Sequence, residues 1–306
     1  MKQSYSTERA AKRTPAYEGA SVLDVNLVLE GGAMRGQFTA GVLDFLMDQN
    51  IWCRNVFGTS AGALNGYNYV AGEIGRTCYL NTKYCNDSRY LSMRNFALTG
   101  SAIRRDFMFD EIPNVLEPFD FEAFRNSPLS LTTVASDLET GEADYHTMQD
   151  ASDERDLSYL LASASMPLVS KIIEVDGKKL LDGGSCDSVP LLHAMLATDA
   201  KKHIVVLTQD ATFVKSPNKT MPLVKRVYAD YPYFVDRMEF RHFEYNRTYR
   251  WIKRLHDAGE VFMIQPPQPV TIASMEKDPE KLFALYEEGY AEAARHYHEL
   301  LAYLER

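Results

Sequence analysis

Val56-Phe57-Gly58-Thr59-Ser60-Ala61-Gly62 sets a serine between two glycines, directly after a short apolar run. That order presents a serine nucleophile at a sharp strand-to-helix turn. Such a turn needs unusual backbone angles, which glycine adopts without a Cβ clash, and small neighbours let a substrate reach the hydroxyl. On this reading Ser60 exposes its Oγ and opens a helix, whose N-terminal partial charge favours a developing oxyanion. The same residues also fit a glycine-rich turn with an incidental serine, so the flanking sequence must decide.

Upstream, Val22 to Glu30 is apolar-rich and reads as a buried strand. Gly31-Gly32-Ala33-Met34-Arg35-Gly36 follows, then apolar residues at Phe38, Val42, Phe45 and Leu46 with helical spacing. Asn55 to Phe57 is a short strand and Ala61 begins a helix, although Gly66 and Gly72 weaken it. The alternation strand, glycine turn, helix, strand, serine turn, helix implies an α/β fold with parallel strands and right-handed crossovers. Residues 76–128 read as short helices and loops. Strands are expected at 129–136, 143–148, 203–208 and 261–264, and a helix at 157–164. A hairpin is expected about Asp176-Gly177 between 171–175 and 178–181. Residues 217–258 read as helical, and 281–304 as a single amphipathic helix.

The chain has 306 residues, 45% hydrophobic and 25% charged, the profile of a globular protein with a sizeable core. A net charge of −9 argues against general nucleic-acid binding. No apolar run approaches a bilayer span, and residues 1–21 read as a flexible arm without a secretory signal. Cys53, Cys78, Cys85 and Cys186 show no metal-site spacing, and free thiols suit a cytoplasmic protein. No cofactor or metal is expected.

Three motifs bear on chemistry. The backbone N–H groups of Gly31, Gly32, Ala33, Arg35 and Gly36 can converge on a negatively charged oxygen, with the Arg35 side chain a nearby cation. A dinucleotide turn would need glycine where Ala33 stands, and the phosphate loop fails because Gln37 and Phe38 follow Gly36. Asp182-Gly183-Gly184 releases an aspartate from a strand end into a glycine turn, although an ordinary Asx-turn would look the same. A serine nucleophile needs a base, and none of the seven histidines stands in a local signature for that role. Without one, Asp182 would take the serine proton directly, with burial raising its basicity.

The motifs at 31–36, at Gly58, Ser60 and Gly62, and at Asp182, Gly183 and Gly184, in this order and spacing, resemble the patatin-like phospholipases. So does Ala162-Ser163-Ala164-Ser165-Met166-Pro167 with its following hairpin. The resemblance covers residues 24–195. It implies a three-layer α/β/α patatin-like fold with a mostly parallel sheet, and a Ser60–Asp182 dyad without histidine. It also implies an oxyanion hole around Gly32 and Ala33, and hydrolysis of lipid acyl esters without a metal. One departure is Ala33, which replaces the family's usual third glycine. On this basis a catalytic domain is expected over 22–212, with a mainly helical region over 213–306 packed on it. The size of an acyl pocket is expected to depend on residues 76–128 and 210–260.

Residues 225–254 hold eight Lys and Arg against four Asp and Glu, interleaved with aromatics. Such a surface could meet anionic lipid headgroups peripherally at a membrane. The favoured alternative is a helix pair that packs its aromatics inward and displays its arginines. Two rival functions stay open. One is an α/β-hydrolase-type esterase with a Ser–Asp–His triad using His193 or His256. The other is a catalytically silent lipid- or protein-binding module.

Overall fold

A computed structural model describes residues 21–306 apart from Leu91; the expected arm therefore lies, but for residue 21, outside the described residues. Strand β1 (Val22–Leu29) is central. Leu27 and Leu29 face one layer of helices and Val28 the other, so its apolar run is buried on both faces. A 3₁₀ turn at Ala33–Arg35 leads into α1 (Gly36–Asp48), then β2 (Trp52–Thr59) and α2 (Ala61–Val70). β2 exceeds the expected Asn55–Phe57 because Trp52 and Cys53 are also buried, pairing with Val22 and Leu23. α2 keeps its form despite Gly66, which brings the helix close to Val56 and Leu131 on the sheet.

Helices α3 (Arg76–Tyr84) and α4 (Met93–Thr99), a widened π-helical segment at Asp106–Leu116, and α5 (Phe121–Arg125) link β2 to β3 (Ser130–Asp137). β4 (Ala143–Met148) folds back antiparallel on β3, and α6 (Glu154–Ser163) follows. β5 (Ile173–Val175) and β6 (Lys178–Asp182) form the expected hairpin. Its turn residues Asp176 and Gly177 both have positive φ, 51° and 75°, as a type I′ turn requires. Then come α7 (Leu191–Ala197), β7 (Lys202–Val206), α8 (Met221–Val227), α9 (Pro232–Asp257), β8 (Phe262–Ile264), α10 (Pro279–Arg295) and α11 (Tyr297–Glu305).

The sheet runs β5-β6-β3-β2-β1-β7-β8, with β4 also on β3. Its centre, β3-β2-β1-β7-β8, is parallel; β4 and β6 each pair antiparallel with β3, and β5 pairs antiparallel with β6. Helices cover both faces. α1, α2, α6 and α10 contribute to the larger core, while α7 and α9 pack on Val28, Phe57 and Val205 opposite. The parallel strands all end towards one rim, so the loops after β1 and β2 meet there.

The single helix expected over 281–304 is two helices, α10 and α11, which meet at His296. No glycine or proline marks that break. Tertiary contacts redirect the chain: the Tyr303 hydroxyl accepts from the His203 N–H at 2.9 Å and donates to the Glu260 carbonyl at 3.0 Å.

Candidate active site

Ser60 lies between β2 and α2 with φ 55° and ψ −120°, a conformation that costs a non-glycine residue about 1–3 kcal/mol. The close approach of α2 to β1 holds it there. A Cβ on Gly62 would lie 2.4 Å from the Leu29 carbonyl oxygen, so only glycine lets the helix begin at that spot. The Ser60 N–H donates to Ser163 Oγ at 2.8 Å, and the Ser60 carbonyl accepts from Leu64 at 3.1 Å. The side chain is thereby left to point elsewhere: Ser60 Oγ donates to Asp182 Oδ2 at 2.6 Å.

Asp182 is the last residue of β6. Its N–H donates to the Ser165 carbonyl at 2.8 Å, and its second oxygen, Oδ1, accepts the Gly184 N–H at 2.8 Å. Gly58 and Gly183 serve the same compact geometry, Gly58 against the start of α2 and Gly183 against the Val134 carbonyl. The carboxyl is buried, and burial raises its pKa above the usual 3.8. The Ser60 hydrogen bond, the Arg241 charge, the Gly184 N–H and Lys215 each offset part of that rise.

In the glycine turn, most N–H groups are already committed. Gly31 donates to the Ser188 carbonyl at 3.2 Å, Arg35 to the Gly32 carbonyl at 3.1 Å, and Gly36 to the Ala33 carbonyl. The N–H groups of Gly32 and Ala33 have no acceptor among the described residues. The five residues grouped by sequence thus narrow to two with available donors. The Arg35 guanidinium reaches Ser274 Oγ at 3.4 Å, and its buried Nε has no partner among the described residues.

Ala33 has φ 50°, the left-handed region where a Cβ costs about 1 kcal/mol. Ala33→Gly is therefore expected to raise stability by up to about 1 kcal/mol, less what glycine's freer unfolded chain takes back. A urea-denaturation midpoint that fell instead would mean the methyl makes contacts worth more than the strain.

Beside Ser60 opens a mainly apolar cavity whose walls include Leu64, Leu80, Met108, Phe109, Ile112 and Met166. Its lining draws heavily on 76–128, as expected, but on no residue of 210–260. That segment lies behind the site instead. The Glu30 carboxylate, at the end of β1, accepts the Thr208 N–H at 2.6 Å and the hydroxyls of Thr208, Tyr245 and Tyr249. Arg241 Nε donates to the Gly184 carbonyl. Sequence reasoning missed Ser163, Glu30, Thr208, Lys215 and the α9 residues. One signal was available: Arg241, Tyr245 and Tyr249 are four apart, one face of a helix.

The expected inward aromatics and outward arginines of 225–254 are only partly found. Tyr228, Phe234 and Tyr245 are buried, but Tyr233, Phe240 and Phe243 are more than half exposed and Arg241 points inward. No histidine hydrogen-bonds Ser60 or Asp182 among the described residues. His193 stacks on Tyr145 at 3.5 Å and His256 binds the Val261 carbonyl at 3.3 Å. The Cys186 thiol donates to the Gly141 carbonyl, and burial pushes its pKa up to about 11. No described helix is long and apolar enough to cross a membrane.

A family model described as "Patatin-like phospholipase" matches residues 27–195, and one described as "Domain of unknown function (DUF6363)" matches 231–305. The uncharacterized protein YjjU of Escherichia coli is 24% identical over 80% of this chain and 69% of its own length. An uncharacterized NTE family protein of Mycobacterium tuberculosis is 26% identical over 56% of this chain. The match spans 46% of that relative, less than half its length. The structure of VipD from Legionella pneumophila aligns with a TM-score of 0.44 and 12% identity, over 89% of this chain and 66% of that one.

Proposed function

Because this chain belongs to the patatin-like phospholipase family, we propose that it is a serine acyl-ester hydrolase acting on lipid esters through a Ser60–Asp182 dyad. One observation carries the reading: a buried serine hydroxyl on a strained turn donates to a buried carboxylate at 2.6 Å, beside an apolar cavity. Ser60 Oγ attacks the ester carbonyl as its proton passes to Asp182. The tetrahedral oxyanion is stabilised by the Gly32 and Ala33 N–H groups. Collapse expels the alcohol, which takes the proton from Asp182. Water then gives its proton to Asp182 and attacks the acyl-enzyme, and the free acid leaves as Ser60 is reprotonated. The acyl chain occupies the cavity lined by Leu64, Met108 and Ile112.

In this reading the enzyme works in the cytoplasm and meets its lipid at a membrane surface. The outward Phe240 and Phe243, with the basic residues of α9, favour such contact. The test is an active-site fluorophosphonate. It is expected to label the protein once, at Ser60 by peptide mass spectrometry, and not to label folded Ser60→Ala. An unlabelled wild-type protein that still binds lipid would favour a silent binding module instead.

A further inference from the structure

We infer that α9, which lies outside the segment matched by the phospholipase model, completes the active site through positioning residues, foremost Arg241. The inference rests on the dyad reading above. Arg241, Tyr245 and Tyr249 form one stripe of the helix and reach both chemical turns from behind. At one end, Arg241 Nε donates to the Gly184 carbonyl, and Nη2 lies 3.4 Å from Ser188 Oγ. Ser188 ties the two turns together. Its hydroxyl donates to the Gly184 carbonyl at 2.8 Å, and its carbonyl accepts the Gly31 N–H at 3.2 Å. At the other end, the stacked Tyr245 and Tyr249, 4.6 Å apart, donate to Glu30 immediately before the glycine turn. One helix face thus sets the base turn and the oxyanion turn relative to each other.

Arg241 also acts through charge. Its guanidinium is buried, and the charges of Asp182 and Glu30 act on it. The charged groups that bear on Asp182 are Arg241 from α9 and Lys215 from the loop after β7. Lys215 is pinned to α9 by two 2.9 Å hydrogen bonds with Asn246, and its ammonium lies 4.4 Å from the Tyr245 ring centre. Burial and the neighbouring Arg241 lower its pKa to about 8. Near neutral pH both cations therefore oppose the effect of burial on Asp182 and favour the ionised carboxyl that accepts the serine proton; above about pH 8 Lys215 loses its charge and Arg241 continues to oppose it.

Removing the Arg241 charge disfavours the carboxylate, so the pKa of Asp182 rises and the ionised base is lost at a higher pH. In the full-length protein, Arg241→Gln is expected to move the acid limb of kcat/KM on a neutral short-chain ester upward by about one pH unit or more. Arg241→Lys, which keeps the charge but loses the planar fork, is expected to hold the limb near its wild-type position while kcat falls. A purely structural role would lower activity without moving the limb, and a limb unchanged in Arg241→Gln would overturn the inference. A second readout is independent of turnover: ¹³C NMR titration of the Asp182 carboxyl, assigned with Asp182→Asn, in wild type and Arg241→Gln. If neither ester is hydrolysed nor Ser60 labelled, the hydrolase reading fails by itself. An Asp182 titration that Arg241→Gln does not shift sinks the α9 inference in either case.

Discussion

Asp182→Asn is expected to lower kcat on a chromogenic short-chain ester by about 10³-fold, within the range for loss of general-base catalysis, while far-UV circular dichroism stays that of the wild type. Asparagine preserves the shape and can still accept the Gly184 N–H through its oxygen. It cannot accept a proton from Ser60. The effect is large because nothing nearby can substitute: the hydrogen-bonding neighbours of Ser60 Oγ include no histidine, and His193 and His256 are engaged elsewhere. A folded variant that retained more than a tenth of wild-type turnover would remove Asp182 from the base role. A triad would instead make a histidine indispensable, so His193→Ala and His256→Ala are the matched controls and are expected to stay within a few-fold of wild type.

Gly289→Val is expected to destabilise the protein by about 3 kcal/mol in urea denaturation, the upper part of the usual range for overpacking. α1 and α10 cross in backbone contact. A Cβ at Gly289 would lie 2.0 Å from the Phe38 carbonyl oxygen, and one at Gly41 would lie 2.0 Å from the Tyr286 carbonyl oxygen. Neither neighbour is a flexible side-chain end, so the helices themselves must separate. Separation would open the contact between residues 213–306 and the helix that follows the glycine turn. Gly289→Ala is the milder probe. A midpoint equal to wild type for Gly289→Ala would contradict this crossing.

Much of the site was legible because it is written in neighbours along the chain. The need for glycine at Gly62 and the place of Ser60 at the strand-to-helix turn follow from the sterics of that turn. The expected exposure of its Oγ does not hold, because Ser60 is buried with its hydroxyl on Asp182. The Asp176-Gly177 turn follows from the same kind of local constraint, and the buried strands from unbroken apolar runs. The wall of the cavity was half legible. Residues 76–128 were expected there and contribute, but 210–260 pack behind the site, because α9 covers the opposite face of the sheet.

The order of motifs and the parallel core were determined by sequence alone, since each depends on backbone sterics and on burial periodicity within a few residues. The pairing of Ser60 with Asp182, 122 residues apart, followed in the sequence only from the family resemblance. Tertiary structure decided the rest. It spent the N–H groups of Gly31, Arg35 and Gly36 on other carbonyls and left those of Gly32 and Ala33 without acceptors. It broke the last helix at His296 without a helix-breaking residue. It also turned Arg241, Tyr245 and Tyr249 inward onto turns as many as 219 residues away. No local pattern specifies such contacts. They arise when two faces of one sheet are covered by helices from distant parts of the chain, and buried charges such as Glu30 and Asp182 must then find their partners across that packing.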